Sequence, residues 1–229
     1  MATALKDPEA SITTDDIRRA LELDLVLGRF SPRERLVEDE LMARFGAKRH
    51  AIRTVLSDLE RSGLVERRPN KGATVRDYAP DEVEELYDLR ASLHSLAVDR
   101  FVLPPAPEVA DELSTIADRH EDAVARDDLA DVIRYNNEFH DVFFDLCGNR
   151  FLSQQIAHLG SAANAIRSYR IGDPELLRQA IREHREMIAA LAAGERDRLR
   201  GLVAEHIMPS KELYLRDTRA VRRGDEAGA

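Results

Sequence analysis

Residues 48 to 61 most constrain what this chain can fold into. Four apolar residues recur there at the spacing of one helix face: Ile52, Val55, Leu56 and Leu59. Four side chains that can carry positive charge project from the other side, near the start of the segment: Lys48, Arg49, His50 and Arg53. The pattern predicts a helix that packs one face on its own domain and offers a cationic end to an anionic partner.

The segments around this helix predict a winged helix-turn-helix. Residues 13 to 27 predict a first helix after a Thr or Asp cap, and a second, short helix ends at Gly46. After Gly63, the sequence "LVERRPNKGATVRDY" predicts two short strands joined by a tight hairpin. Three helices followed by a hairpin form a winged helix.

Beyond Tyr78, the sequence changes to long helical segments with no further strand signal. Six helices are predicted, at about 81 to 102, 107 to 125, 128 to 147, 151 to 170, 174 to 193 and 195 to 216. The fold class is therefore mainly α, with an N-terminal winged helix-turn-helix and a C-terminal all-α bundle. The predicted domains are 13 to 78 and 79 to 217, between a disordered N-terminus (1 to 12) and a disordered tail (218 to 229).

Overall charge and cysteine content narrow the function. The chain has 34 Lys and Arg against 43 Asp and Glu, so a basic segment in an acidic protein favours a polyanionic partner. Cys147 is the only cysteine, which excludes an intrachain disulfide and a CxxC metal site. The sequence has no secretory signal and no apolar run long enough to cross a bilayer, so we expect a cytoplasmic protein.

The basic end of the third helix is a candidate reader of double-stranded DNA. Arginine can donate two hydrogen bonds to guanine, whereas lysine more readily contacts phosphate. The hairpin tip, with Asn70, Lys71 and Gly72, is short and positive enough to approach a minor groove or the backbone. The alternatives are a solvated charged helix face and a protein-binding helix-turn-helix.

The stretch "LVLGRFSPRERLVEDELMARFGAKRHAIRTVLSDLERSGLVERRPNKGATV" resembles the winged-helix domain of GntR-type bacterial transcription regulators. The resemblance covers most of residues 13 to 76 and implies DNA contacts by three arginines and the wing glycine. Arg33 replaces the usual glycine after Pro32, and "AKRHAIR" replaces "VSRTPVR". These departures bear on which operator sequence the chain reads, and not on whether it binds DNA. With the helix-face and hairpin arguments, the predicted DNA-binding residues are Arg35, Lys48, Arg49, His50, Arg53, Lys71 and Gly72.

Three histidines and an asparagine on the later helices are candidate metal ligands: Asn136, His140, His184 and His206. Asn136 and His140 are four residues apart, so they lie on one helix face at about 6 Å. Neutral imidazole is a ligand of Zn, Ni, Co or Mn. The alternative is a set of separately hydrogen-bonded core or surface histidines.

Residues 81 to 216 resemble the all-helical effector domain called FCD, found in the FadR branch of GntR regulators. Four stretches carry the resemblance: "NNEFH", "CGN", "EHREMIAAL" and "EHI". It implies a divalent metal, with zinc first, held by the four candidate ligands in the pocket of a small carboxylate effector. Asn136 stands where Asp is usual and would be a weaker, neutral ligand. Six helices suggest the VanR-like subgroup.

The same resemblance implies that Arg90 binds the effector, because the first helix of such domains has an arginine at this place. In "RASLH", His94 stands where Glu is usual. Helical phase adds Tyr87, Asn164 and Arg167 as effector-binding candidates that line the pocket. Ordinary packing or surface roles are the alternative for these three.

The leading interpretation is a metabolite-responsive transcription regulator and not an enzyme. It is expected to repress by binding a pseudo-palindromic operator as a homodimer. The alternatives are a hydrolase-type metalloenzyme in a helical bundle and a regulator whose metal is purely structural. The Glu-x-x-His pairs of ferritin-like sites are absent. Glu183 and Glu205 adjoin histidines but point about 100° away on a helix, so no general base is predicted.

Overall fold

The computed structural model describes residues 12 to 68, 72 to 171 and 173 to 227, with the backbone alone at 68, 168 to 171 and 219 to 227. The chain divides into two compact units. The first lies within Met1–Leu25 and Phe30–Arg76, and the second within Val26–Arg29 and Asp77–Ala229. The predicted change of organisation after Tyr78 falls two residues from this division.

The N-terminal part has the predicted winged helix-turn-helix. Its elements are α1 (Thr14–Val26), β1 (Arg35–Leu36), α2 (Glu38–Phe45), α3 (Arg49–Arg61), β2 (Val65–Arg68) and β3 (Gly72–Val75). The α1 helix begins with a capping box, in which the Asp16 N–H donates to Thr13 Oγ1 at 3.1 Å and the Thr13 N–H donates to Asp16 Oδ2 at 3.0 Å. The predicted apolar face of α3 is buried, because each of its four residues is at most 1% exposed.

The sheet has one strand more than the sequence predicted. The strand order is β1-β3-β2, with Val65 opposite Val75 in the antiparallel hairpin and Arg35 opposite Thr74 in the added pair. The β1 strand has only two residues and is too short to show an alternating pattern. Before it, Arg33 has a φ of 67°, a conformation that glycine adopts at much lower cost.

The C-terminal part is all helical in the described residues. Its helices are α4 (Pro80–Arg100), α5 (Pro107–Ala125), α6 (Leu129–Asp145), α7 (Arg150–Ala162), α8 (Asn164–Ile171), α9 (Pro174–Ala192), α10 (Arg196–Glu205) and α11 (Met208–Ala227). The α5 helix packs on α6 and α9, α10 packs on α4 and α9, and α8 packs on α11. None of the helices described here is both long and apolar enough to cross a membrane.

Two of the six predicted helices are each divided in two. The break between α10 and α11 precedes Pro209, which lacks the N–H that would continue the first helix. The break at Ala163 has no Gly or Pro, and buried Ala162, Ala163 and Asn164 indicate that packing decides it. The prediction of a disordered tail from residue 218 is wrong for residues 218 to 227, because α11 continues to Ala227. Residues 1 to 11, 228 and 229 lie outside the described part.

Candidate functional site

Two arginines of α3 are exposed and form ion pairs with acidic residues of α2. Arg49 donates from Nη1 to Glu38 Oε2 at 3.2 Å and from Nη2 to Asp39 Oδ1 at 2.5 Å. Arg53 donates from Nε to Glu38 Oε1 at 3.0 Å. The arginine side chains are 53% and 60% exposed. These groups therefore lie on the surface of the first unit and can exchange their carboxylate partners for another anion.

The N-terminal end of α3 itself favours an anion. Its first turn has no acidic residue, and its N-cap residue Lys48 makes no side-chain cap hydrogen bond. The first N–H groups of a helix lack intrahelical acceptors and carry partial positive charge. Lys48 and His50 are both exposed beside them.

The wing places Arg35 beside Gly72. Gly72 has a φ of 75°, and a Cβ at this position would lie 3.7 Å from Arg35 Nε. Because Arg35 is exposed, the strand end presents a cationic group next to a backbone without a side chain. Lys71, the remaining predicted DNA-binding residue, lies outside the described residues.

The three candidate histidines converge in the helical unit. His140 lies on α6, His184 on α9 and His206 at the end of α10. Their ring centroids are 4.9 to 5.1 Å apart, and one ligand atom from each lies within 4.8 Å of the others. Nε2 of His140 and Nε2 of His206 are 3.1 Å apart. The imidazoles thus share one small volume.

Glu183 contacts this cluster, which the sequence analysis did not predict. Its Oε2 lies 2.6 Å from His206 Nδ1, and Gln179 Nε2 donates to its Oε1 at 2.7 Å. Helical phase separates Glu183 from its neighbour in sequence, His184, whereas the carboxylate reaches His206 at the end of the next helix. A carboxylate on Nδ1 directs the Nε2 lone pair outward, an arrangement typical of metal-ligating histidines.

The donor set fits a divalent metal. A zinc ion about 2.0 to 2.1 Å from each nitrogen separates adjacent ligands by about 3 Å, which matches the His140 to His206 distance. The widest separation, 4.8 Å, needs a small inward movement. Burial, followed by His206 and His184, lowers the pKa of His140 well below 6.5. His140 is therefore a neutral imidazole, the form that binds metals.

A cavity of about 60 Å³ adjoins the cluster. We call it the first cavity; it is lined by His140 and His206, and also by Asn136, Asn164 and Ser210. Asn136 thus opens onto the same space as two of the histidines. The cavity also brings in His120 of α5, which is 1% exposed and lies 5.4 Å from His184 between ring centroids.

A second cavity, of about 370 Å³, shares a wall with the first. Arg90, Asn137, His140 and Arg167 line both cavities. Arg167 is held by Asn137 Oδ1 at 2.9 Å and by Asn164 Oδ1. The second cavity continues between α6 and α7, with Asp141, Asp145 and Ser153 among its lining residues.

Arg90 is a buried cation in this shared wall. It is 5% exposed, and its Nε and Nη1 have no hydrogen-bond partner among the described residues. Its guanidinium stacks on the Tyr87 ring at 4.8 Å. Tyr87, predicted to line the pocket, is fully buried beneath Arg90 and is not among the lining residues of either cavity. Burial lowers the pKa of Arg90, but a guanidinium stays charged at neutral pH.

His94 lines the second cavity on the same helix as Arg90. It is 3% exposed, and its ring packs against that of Phe144, tilted by 34°, with 4.4 Å between the ring centroids. Burial, followed by the charge of Arg90, lowers the pKa of His94 to about 3. Neutral His94 cannot compensate the charge of Arg90. The related pattern has Glu at this position, and its carboxylate would compensate that charge.

Some of the site residues that the sequence analysis did not predict have a signal in the sequence, and others have none. His120 follows Leu113, Ile116 and Ala117 on the buried face of α5, so its helical phase predicts an inward side chain. Ser210, Asp141 and Asp145 have no such signal. Their position depends on which helices pack together.

Each of the two units matches a known protein family. Residues 85–208, more than half of the chain, match the FCD domain family, and residues 13–75 match the bacterial regulatory proteins of the gntR family. The chain is 26% identical over 180 residues to YdhC of Bacillus subtilis (strain 168), an uncharacterized HTH-type transcriptional regulator, covering 78% of this chain and 80% of that protein. It is 22% identical to the HTH-type transcriptional repressor RspR of Escherichia coli (strain K12), covering 86% of each.

A solved structure, that of E. coli McbR/YncC, has the same fold. It superposes with a TM-score of 0.71 over 90% of this chain and 98% of that chain, at 21% identity.

Proposed function

The chain belongs to the GntR family of transcription regulators and carries an FCD domain, and from this premise we propose that it is a metabolite-responsive repressor. It binds a pseudo-palindromic operator in double-stranded DNA as a homodimer, and its second unit binds a small carboxylate with the help of a divalent metal. The observation that carries the effector part is the buried Arg90, whose Nε and Nη1 lack a partner among the described residues.

The DNA-binding role is supported by the family and by the surface of the first unit. Arg49 and Arg53 offer guanidinium groups for guanine, and the uncapped end of α3 offers N–H groups for a phosphate. Repression is supported by RspR, which is named a repressor. The metalloenzyme alternative is excluded, since the family and the relatives are regulators and not enzymes.

The effector site combines two groups that favour a carboxylate. Arg90 would donate hydrogen bonds to the acid group. A metal held by His140, His184 and His206 would supply a Lewis acid at the first cavity, which Arg90 and Asn136 also line. The chain's own part is to keep these imidazoles neutral and oriented, through burial and through Glu183.

Hydrogen bonds link the effector site to the start of the second unit. Tyr87, which supports Arg90, shares a 3.0 Å hydrogen bond with Ser210 of α11. One turn further along α11, Tyr214 donates from its hydroxyl to the Tyr78 carbonyl at 3.0 Å. An effector that moves Arg90 can therefore shift the segment that leads to the winged helix, and by linkage DNA affects effector affinity equally.

An Arg90→Met variant is expected to gain stability and to lose carboxylate binding. Methionine fills similar space without an unpaired buried charge, so we expect a gain of about 1 kcal/mol, or a Tm higher by about 2 to 4 °C. Thermal unfolding and titration with mono- and dicarboxylates from acetate to adipate measure both effects. Arg178→Met, at an exposed ion pair on α9, is the control and should change neither. An Arg90→Met variant that melts earlier yet binds carboxylates normally would contradict this role.

The homodimer is supported by an apolar stripe on α4. Leu89 and Leu96 are 49% and 50% exposed and lie seven residues apart on one helix face. Half-buried Leu86 and Leu93 extend the same face, and exposed Phe151 lies in the first turn of α7, which packs on α4. Exposed apolar surface of this kind marks protein interfaces.

We therefore expect the double variant Leu89→Glu/Leu96→Glu to sediment as a monomer, because the two stripes would bring four carboxylates together at a twofold interface. The control Thr115→Glu/Arg119→Gln changes the net charge equally at exposed positions of α5 and should remain dimeric. If both double variants sediment like the unmodified chain, the interface lies elsewhere.

A further inference from the structure

The second cavity has two carboxylates at its α6 wall. Asp141 and Asp145 are four residues apart on this helix and both line the cavity. Both are exposed, and neither forms an ion pair or hydrogen bond with another described residue, although the charge of Arg167 acts on Asp141. Two like charges at this spacing repel each other and destabilise a helix. Their joint presence at a cavity wall therefore favours a cationic occupant.

The same cavity is lined by a buried cation on α4. Arg90 is nine-tenths buried, and its Nε and Nη1 have no acceptor among the described residues. Arg167 also lines this cavity, and neutral His94 supplies no negative charge. The cavity is thus bipolar: its two arginines also line the first cavity, whereas its two carboxylates line the second cavity alone.

Between the two ends, the lining can accommodate a hydrocarbon chain. Phe144, Ile156, Ala157 and Gly160 all face this cavity. His140 lies in the wall shared with the first cavity, Asp141 follows it directly, and Asp145 lies five residues beyond His140, about 7.5 Å along the helix axis. A ligand that reaches from this shared wall to Asp145 must therefore hold its charged groups several bonds apart.

We infer that the effector is an aminocarboxylate, whose carboxylate binds at Arg90 and whose ammonium group binds between Asp141 and Asp145. This inference rests on the proposed carboxylate pocket and adds the class of molecule that fills it. Each charged end of such a ligand would replace a repulsion or an unmade hydrogen bond in the protein. A carboxylate without an amine would leave the acidic pair uncompensated.

Titration calorimetry of the full chain with two matched series tests this inference. One series is glycine, β-alanine, 4-aminobutanoate, 5-aminopentanoate and 6-aminohexanoate, and the other is acetate to hexanoate without the amine. We expect at least one longer aminocarboxylate to bind ten times more tightly than its match. In Asp141→Asn/Asp145→Asn this preference should fall below twofold, while Glu138→Gln on the same helix, outside both linings, should retain it.

The outcomes separate this inference from the function on which it rests. Equal binding of the two series, no binding of any aminocarboxylate, or an unchanged preference in the double variant would each overturn the inference. If amine-free carboxylates still bind in an Arg90-dependent manner, the proposed carboxylate pocket stands without it. The double variant should fold, because it removes a like-charge repulsion, and its Tm should equal or exceed that of the unmodified chain.

Discussion

Replacing Arg49 or Arg53 by alanine is expected to weaken DNA binding about 30- to 10⁴-fold. A two-pronged arginine to guanine contact contributes about 1 to 3 kcal/mol, and a homodimer loses it in both half-sites. The ion pairs with Glu38 and Asp39 do not prevent this role, since exposed pairs of this kind contribute about 0 to 1 kcal/mol. Fluorescence anisotropy with a duplex from upstream of the chain's own gene measures the loss.

The α3 helix offers a matched control for this experiment. Arg61 is on the same helix, is 77% exposed and pairs with Asp58, but it lies at the opposite end from Arg49. An Arg61→Ala variant should bind the duplex within about threefold of the unmodified chain if it loses only a distant charge. Equal losses in all three variants would indicate nonspecific attraction, and undiminished binding by Arg49→Ala and Arg53→Ala would remove the proposed reading face.

The second large effect is the loss of metal and stability in a His206→Ala variant. His206 joins Glu183 to His140, so its removal breaks the donor set at its centre. A ligand present at about 1,000 times its Kd stabilises a protein by about 4 kcal/mol. The Tm should therefore fall by about 8 to 16 °C, with metal content measured by mass spectrometry falling in parallel. Chelation of the unmodified chain should have the same effect.

His158→Ala is the control for the metal, because this histidine is exposed on α7 away from the cluster. It should retain both metal and Tm. Carboxylate titration after chelation distinguishes the two roles that a metal can have. A metal in the effector pocket predicts weaker carboxylate binding, whereas a purely structural metal predicts a lower Tm with unchanged binding. Unmodified protein that holds no metal after dialysis against zinc would contradict both.

Local patterns were sufficient to predict the winged helix. The burial of Ile52, Val55, Leu56 and Leu59 follows from their spacing, and the hairpin follows from its turn residues. The β1 strand could not be predicted in this way, since two residues show no period. The division of α7 from α8 also has no local signal, because it depends on the packing of Ala162 to Asn164.

Local patterns were less sufficient for the candidate site, because its residues come from several helices. Helical phase placed only Asn136 and His140 on one helix face, and the prediction that the three histidines form one site came from the FCD resemblance. The same phase directed Glu183 away from its neighbour His184. The carboxylate reaches His206 because α9 and α10 pack together, a contact that no spacing within one helix can reveal. The bipolar second cavity arises likewise, because its acidic pair lies on α6 and its cation on α4.

Sequencing of genomic fragments captured by the full chain tests whether it reads specific DNA sites through α3. We expect fragmented DNA from the source organism to yield a few discrete sites containing an inverted repeat, and we expect Arg49→Ala/Arg53→Ala to capture none of them. Uniform recovery of fragments by the unmodified chain, or the same discrete sites with the double variant, would contradict a regulator that reads DNA through the exposed arginines of α3.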